Sequence, residues 1–232
     1  MPVQFEDLLY EWRPAKTFAR VLSGMRSTYS AKDLFTVPAL NRSHRELWAA
    51  REFCQKASAR KAQMTREDGK SSDFDVMLRD GTRLRLQFVE ADVPGRRRGD
   101  EYRMLAGMPN GVEADPYSEW VARRSMIPEA LESCIRSKVS KGYPADVSLL
   151  IYLNIGTYGE WSTEIEREMV AAARKFGSGF RSVWVIWSGK LYRVWPNPSV
   201  GESGPMFGGE HVPLGRWRDR LAARRTFREL FE

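Results

Sequence analysis

Acidic and amide side chains lie on both sides of a predicted tight turn at residues 79–81. Asp73 and Asp75 come before the turn, and Gln87 and Glu90 follow it. Carboxylates fixed on adjacent strands are a common way to hold a hard divalent cation. Because the chain carries a net charge of +7, this pattern predicts metal-dependent chemistry on a polyanion.

The length of the turn decides which side chains share a face of the hairpin. A three-residue loop with Gly81 in the left-handed conformation places the apolar side chains of both strands on one face. The same register puts Asp73, Asp75, Arg85 and Gln87 on the other face. Burial of the apolar face favours this register, because a shift of one residue would expose it.

Hydrophobic periodicity and turn residues predict the remaining elements. A helix is predicted to begin at Ser43, because Ser43 and Glu46 match a capping box, and to run to about Arg60. The other predicted elements are partly helical residues 5–29, a loop over 64–72, strands over 73–79 and 83–89, a loop over 93–116, a helix over 117–141, a buried strand over Val147–Leu153, a helix over 160–176, a hairpin over 182–195 and a final helix over 214–231. This order predicts a single α/β domain with a mixed central sheet flanked by helices.

The composition describes a folded protein, with 42% hydrophobic and 29% charged residues. No stretch approaches the roughly 20 apolar residues of a membrane span, and no signal peptide is recognisable. A cytoplasmic protein with Cys54 and Cys134 as free buried thiols in helices is therefore expected. The scattered cysteines and histidines give no zinc-ligand spacing.

A surplus of basic residues, 37 Lys and Arg against 30 Asp and Glu, favours a nucleic acid as partner. Charge that serves solubility alone is the alternative. The basic residues are clustered, and the candidate phosphate contacts are Arg96, Arg97 and Arg98 in a predicted loop and Arg218 and Arg225 in the final helix.

The order of helix, acidic hairpin, helix and buried strand resembles the restriction-endonuclease-like fold of the PD-(D/E)XK nuclease superfamily, over about residues 41–153. In that superfamily an Asp near one strand and a Glu-x-Lys on the next converge on magnesium. The resemblance implies that Asp75 is the Asp, while Gln87 and Val89 occupy the positions of the Glu and the Lys. Glu90 is a further candidate ligand if a bulge shifts the strand after Gln87.

The resemblance also implies where the missing groups come from. Some members take the lysine from the following helix, which makes Lys138 and Lys141 candidates here. The preceding helix often adds an acidic ligand, which makes Glu46 and Glu52 candidates. The implied activity is cleavage of phosphodiester bonds with magnesium, or with manganese in its place. The implied substrate is DNA in preference to RNA. Residues 154–232 would form a C-terminal extension.

Two other hypotheses stay open beside the nuclease. The missing Glu-x-Lys favours a catalytically inactive nucleic-acid-binding protein on the same scaffold. A protein-interaction module is the other, in which the aromatic hairpin with Trp184, Trp187, Tyr192 and Trp195 forms core or a homodimer interface.

Several candidate residues also have purely structural interpretations. Asp73 and Asp75 would pair with arginines across the hairpin, and Glu46 would be a helix cap. Lys138 and Lys141 would complement a helix dipole. His44 and His211 have no evident partner and are expected not to be catalytic.

Overall fold

The computed structural model of the protein describes residues 9–30, 33–34, 37–66, 72–93, 122–155 and 163–196. Most of the predicted loop over 93–116, the final helix over 214–231 and His211 lie outside the described residues. So do all five arginines predicted to contact phosphates: Arg96, Arg97, Arg98, Arg218 and Arg225.

A seven-stranded mixed sheet with helices on both faces forms the described fold, so the predicted α/β class is confirmed. The strands lie in sequence order. Neighbouring strands are antiparallel from the first to the fourth, parallel from the fourth to the sixth, and antiparallel at the last pair. The elements are β1 (Arg13–Pro14), α1 (Ala15–Thr28), α2 (Pro38–Lys56), β2 (Lys61–Met64), β3 (Phe74–Met77), β4 (Arg83–Ala91), α3 (Ile127–Val139), β5 (Val147–Leu153), α4 (Thr163–Phe176), a 3-10 turn (Gly177–Gly179), β6 (Val183–Trp187) and β7 (Lys190–Trp195).

The β3–β4 hairpin has the predicted register. Asp75 pairs with Arg85 and Phe74 pairs with Leu86, which places Asp73 opposite Gln87, two residues beyond Asp75. The backbone N–H of Leu78 donates to the carbonyl of Thr82 at 2.9 Å, and this bond closes a three-residue loop. Gly81 has φ +86°, the left-handed conformation that the loop requires.

Two apolar cores cover the two faces of the sheet. Phe74 and Leu86 belong to the core on the side of α1 and α2, whereas Leu149 and Ile151 belong to the core with α3 and α4. The interior strand β5 is confirmed, since it lies between β4 and β6 and alternates its side chains between the two cores. The polar side chains of β3 and β4 therefore share the face that carries α3.

Near the candidate site, the bounds of one predicted helix were wrong and one strand was not predicted. Helix α2 begins at Pro38 and ends at Lys56, so Ser43 and Glu46 lie inside the helix and form no capping box. Val37 is the N-cap, and Pro38 suits the first turn because its missing N–H needs no partner there. Strand β2 was missed between the predicted end of the helix at about Arg60 and the predicted loop from residue 64, because its four residues are ordered by pairing with β3.

The aromatic hairpin β6–β7 is part of the core. Trp184 and Trp187 are buried, and the Trp187 indole N–H donates to the backbone carbonyl of Ile155 at 2.9 Å. Cys54 in α2 and Cys134 in α3 are free thiols, as predicted, but Cys134 is half-buried whereas Cys54 is buried. None of the helices in the described part of the chain is long and apolar enough to cross a membrane.

Candidate active site

Asp73 lies directly before β3 and faces Gln87 of β4. Its backbone N–H donates to the carbonyl of Leu86 at 2.8 Å, which extends the hairpin by one residue. Its carboxylate oxygen Oδ2 accepts hydrogen bonds from Gln87 Nε2 at 2.6 Å and from the backbone N–H of Phe88 at 2.7 Å. Asp73 is therefore fixed against β4, with its carboxylate beside the Gln87 amide.

Helix α2 brings a second carboxylate to Asp73. The negative charge of Glu46 acts on Asp73 and raises the pKa of its carboxyl group. Arg42, one turn earlier in α2, donates from Nε to Glu46 Oε1 at 2.8 Å. The end of the sheet at Asp73 therefore holds two carboxylates and a guanidinium.

Helix α3 contributes a lysine from the opposite layer. Lys138 lies in the last turn of α3, and its charge attracts that of Asp73. Its Nζ lies 5.8 Å from the centre of the Tyr143 ring. We call Asp73, Glu46, Gln87 and Lys138 the Asp73 site; two strands and a helix from each layer position it.

The electrostatics of the Asp73 site leave its negative charge incompletely compensated. Burial, and then the charge of Glu46, raises the pKa of Asp73 to about 6, although the Phe88 N–H and the charges of Lys138 and Arg42 act in the other direction. Burial also lowers the pKa of Lys138, although the attraction of Asp73 opposes this shift. A cation bound beside Asp73 would relieve both the burial cost and the repulsion.

The donor set of the Asp73 site fits magnesium or manganese with water and substrate completing the shell. Magnesium is usually bound by one or two carboxylates and keeps several waters. Asp73 and Glu46 supply two carboxylates, and Gln87 can add a neutral carbonyl oxygen if its amide rotates. In the described part of the chain, no three His, Cys, Asp or Glu side chains group closely enough to hold a metal by themselves.

Asp75, the ligand expected from the sequence, lies in a different environment. It is only 1% exposed. Its carboxylate accepts hydrogen bonds from Ser72 Oγ at 2.8 Å, from Arg83 at 2.6 Å and from Gln63 Nε2 at 3.2 Å. Arg83 in turn stacks over the Trp12 ring at 5.5 Å. The structure thus places Asp75 in a network that ties β2, β3 and β4 together.

Glu90 lies on the other face of β4 from Gln87, because side chains alternate along a strand. It forms an ion pair with Arg45 of α2 and accepts a hydrogen bond from Asn154. Strand β4 pairs with β5 in continuous register through Ala91. The bulge that would turn Glu90 toward Gln87 is therefore absent from this described pairing.

The remaining candidates, Glu52, Lys141 and His44, are not among the residues that form the Asp73 site. Glu52 forms ion pairs with Arg51 and with Lys56, the latter at 3.3 Å. Lys141 follows α3 and is exposed. His44 is buried and accepts a hydrogen bond from Arg26 Nε at 3.3 Å; burial, followed by the Arg26 charge, lowers its pKa.

Sequence reasoning placed Asp73 on the polar face of the hairpin but did not select it as a candidate ligand, and it did not consider Arg42. The signal for Asp73 was present in the predicted register, because a three-residue loop at 79–81 pairs residue 73 with residue 87. The resemblance was instead placed on Asp75, which pairs with Arg85. For Arg42 the displaced helix start concealed the i,i+4 spacing to Glu46.

Comparisons with protein-family models, with curated proteins and with solved structures find no match to this chain.

Proposed function

We propose that the protein is a magnesium-dependent nuclease whose catalytic centre is the Asp73 site. The observation that carries the proposal is that Gln87 of β4 contacts Asp73, while the charges of Glu46 from α2 and Lys138 from α3 act on it. Two carboxylates and a lysine, with the carbonyl oxygen that Gln87 would offer after rotation of its amide, suit metal-dependent hydrolysis of a phosphodiester.

The order of the elements supports a restriction-endonuclease-like assignment. Helix α2 precedes the acidic hairpin β3–β4, and α3 then leads to the buried parallel strand β5. This is the order that the sequence shares with the PD-(D/E)XK superfamily. In this proposal Asp73 takes the role of the superfamily's Asp, and Gln87 stands in the position of the Glu. The superfamily's lysine position is occupied by Val89, and Lys138 supplies the ammonium group instead.

Each group of the Asp73 site has a definite task in this proposal. Magnesium held by these oxygens would stabilise charge on the phosphate and activate a bound water. Asp73 and Glu46 are the residues that would hold the cation and orient it. Lys138 donates hydrogen bonds to the attacking water or to a phosphate oxygen. The Lys138 ammonium is half-buried, so its attraction for a phosphate oxygen is stronger than in water, because the surrounding protein screens the charges less.

Cleavage assays on single- and double-stranded DNA and RNA, with magnesium, manganese or chelator, test the proposal. We expect wild-type cleavage that chelator abolishes. Asp73→Asn should lose it and Lys138→Met should slow it by about 10²-fold or more. Asp146→Asn is the matched control, because Asp146 is an exposed carboxylate paired with Arg85 outside the site. Unchanged cleavage by Asp73→Asn would overturn the proposal.

A specific feature favours the non-catalytic nucleic-acid-binding protein as second candidate. The amide nitrogen of Gln87 donates a hydrogen bond to the Asp73 carboxylate and so compensates part of its negative charge. A glutamate at this position would instead add a negatively charged ligand. Val89 on the same face of β4 carries no ammonium. If the wild type binds nucleic acid but cleaves none of the substrates with either metal, this second function replaces the first.

A further inference from the structure

Trp12 lies directly before the edge strand β1, on the polar face of the sheet. The antiparallel register of β1 with β2, continued by one residue, places Trp12 opposite Gln63. Gln63 donates from Nε2 to Asp75 at 3.2 Å, so its side chain lies on the face that carries the acidic residues of the hairpin. Because facing residues of paired strands share a face, Trp12 lies on the same side of the sheet as Asp73.

Arg83 of β4 reaches across this face and stacks on Trp12. Its Cζ atom lies 5.5 Å from the centre of the Trp12 ring, and its Nη2 donates to Asp75 at 2.6 Å. The side chain of Asp75 is 2% exposed, whereas that of Arg83 is 54% exposed. A buried acceptor therefore fixes a guanidinium that is itself largely open to solvent. We call Trp12 and Arg83 the Trp12 platform.

The Trp12 platform has the chemistry that binds an unpaired nucleobase. Indole rings and guanidinium planes are the protein groups on which splayed-out bases stack. Bases within a duplex are stacked on their neighbours, so a platform of this kind selects single-stranded nucleic acid. Since Asp75 already holds Arg83 in place, less side-chain freedom is lost when a base binds.

Two further arginines lie beside the Trp12 platform and supply positive charge for the strand that carries the base. Arg85 follows Arg83 on the same face of β4 and forms an ion pair with Asp146 at 2.9 Å. Arg181 is exposed and donates from Nη1 to the backbone carbonyl of Arg83 at 3.0 Å. Basic residues beside a stacking aromatic ring are the usual composition of a single-strand binding surface.

The Trp12 platform lies within reach of a strand bound at the Asp73 site. Trp12 and Asp73 are separated by two strand spacings across the sheet and by two residues along the strands. These offsets correspond to roughly 12 Å between their backbones. A short extended stretch of single strand can therefore place a phosphate at Asp73 and a base at Trp12.

We propose that Trp12 and Arg83 bind an unpaired base of the strand whose phosphate lies at the Asp73 site, so that single-stranded nucleic acid is the preferred ligand. The inference rests on the proposed function for the identity of that ligand. A platform that serves only to cover the edge of the sheet would make no contribution to binding, and this is the alternative that the experiment separates.

Fluorescence anisotropy in chelator, with a labelled single-stranded oligonucleotide and its duplex, tests the inference without any need for cleavage. We expect Trp12→Leu to weaken single-strand binding about fivefold or more, because it removes the stacking ring. Trp12→Phe should retain most of the affinity. Neither change removes a charge, so the salt slope and the affinity for duplex should stay as in the wild type.

Trp48→Leu is the matched control for Trp12→Leu. Trp48 is also half-buried and also contacts one ring, that of Tyr152 at 4.6 Å, but it packs against the core on the side of α1 and α2. It should lose stability without losing affinity. Thermal unfolding of each variant establishes that the protein used for binding is folded.

An oligonucleotide of the same length built on abasic residues provides a test with the unaltered protein. The wild type should bind it about fivefold or more weakly than the oligonucleotide with bases. Trp12→Leu should bind the abasic ligand as well as the wild type does, because the ring then has no base to stack on.

Unchanged single-strand affinity in Trp12→Leu, or an equal loss with duplex or in Trp48→Leu, would overturn the inference. If the wild type cleaves nucleic acid but Trp12→Leu binds single strand normally, the Trp12 platform is rejected and the nuclease stands. If Trp12→Leu shows the base-dependent loss but the wild type cleaves no substrate, the platform belongs to a binding protein and the nuclease fails. Absence of binding by the wild type at low salt would overturn both.

Discussion

Asp75 in β3 and Asp73 directly before β3 lie on the same face of the hairpin but have different surroundings. Three side-chain donors surround the carboxylate of Asp75, which is almost completely buried. The carboxylate of Asp73 has two donors on one oxygen and a like charge, Glu46, nearby. The environment therefore makes Asp75 a structural ion-pair partner, and it leaves Asp73 with charge that a cation can compensate.

Replacing Asp73 by Asn should stabilise the metal-free protein at neutral pH. Burial and Glu46 raise the folded-state pKa of Asp73 to about 6, above the unfolded value of about 3.9. The folded protein therefore binds this proton more tightly than the unfolded chain does, and Asp73 lowers stability as pH rises through about 6. At pH 7, with allowance for partial exposure, Asp73→Asn should raise the free energy of unfolding by about 1–2 kcal/mol.

Urea unfolding in chelator at pH 7 and pH 4 measures this effect. The advantage of Asp73→Asn should largely disappear at pH 4, where Asp73 is protonated in the folded wild type. An advantage of the same size at both pH values would show that ionisation of Asp73 is not its cause. Asp146→Asn controls for the loss of an exposed carboxylate.

Replacing Asp75 by Ala should destabilise the protein. The change leaves Ser72, Gln63 and Arg83 without their common acceptor, and the first of these is buried. We expect the free energy of unfolding to fall by about 2 kcal/mol. Asp146→Ala, which removes an exposed ion pair with Arg85, should cost less than about 1 kcal/mol. Equal stabilities of the two variants in chemical denaturation would contradict the structural role of Asp75.

At the scale of residues, alternation predicted which side chains share the polar face but not which carboxylate could take a ligand. Asp73, Asp75 and Gln87 were correctly assigned to one face. The difference between Asp73 and Asp75 depends on Gln63 in the unpredicted strand β2 and on Glu46 and Lys138 from helices distant in sequence. A local sequence pattern does not predict contacts between residues that are distant in the sequence.

At the scale of elements, the three-residue loop sets the register on which the Asp73 site depends. Gly81 has φ +86°, and a Cβ added there would meet no atom within 4 Å. The cost of a side chain at this position is therefore conformational and not steric. The loop holds Asp73 opposite Gln87 at the far end of the hairpin.

Replacing Gly81 by Ala should lower the free energy of unfolding by about 1 kcal/mol, because alanine disfavours the left-handed conformation. Gly81→Asn should cost less, since asparagine tolerates that conformation better. Thermal unfolding should give the highest Tm for the wild type, a lower one for Gly81→Asn and the lowest for Gly81→Ala. An alanine variant at least as stable as the asparagine variant would show that the loop does not need the left-handed residue.

Elements were predictable where the sequence pattern was strong and local. The β3–β4 hairpin, β5 and the β6–β7 hairpin follow from alternation or from a continuous apolar run, and each has clear turn residues. Strand β2 is only four residues long and contains no β-branched residue, so its conformation follows from pairing with β3. The start of α2 was misplaced because Ser43 and Glu46 match a capping box within a helix that Pro38 already begins.

At the scale of the whole molecule, the sheet separates two cores, and the Asp73 site lies where helices from both layers reach one end of the hairpin. The chain as a whole carries a net charge of +7. Nucleic acid binding by such a chain releases counterions from each neutralised phosphate. The binding constant should therefore fall steeply with salt.

Binding of labelled DNA and RNA measured at about 50 mM and 200 mM salt tests this expectation. We expect affinity for nucleic acid at the lower concentration, with a loss of about tenfold or more at the higher one. Affinity that does not depend on salt would point to a contact other than phosphate. No binding of either nucleic acid at low salt would leave the protein-interaction module as the remaining hypothesis.

The most direct test of the central claim is a titration with Mn²⁺, followed by the electron paramagnetic resonance of the free ion. Mn²⁺ takes the same oxygen ligands as Mg²⁺ and can be counted when bound. In the presence of an uncleavable oligonucleotide, the wild type and Asp146→Asn should show the same saturable site, and Asp73→Asn should lose it. A site that Asp73→Asn retains with unchanged affinity would contradict the claim that Asp73 holds the metal.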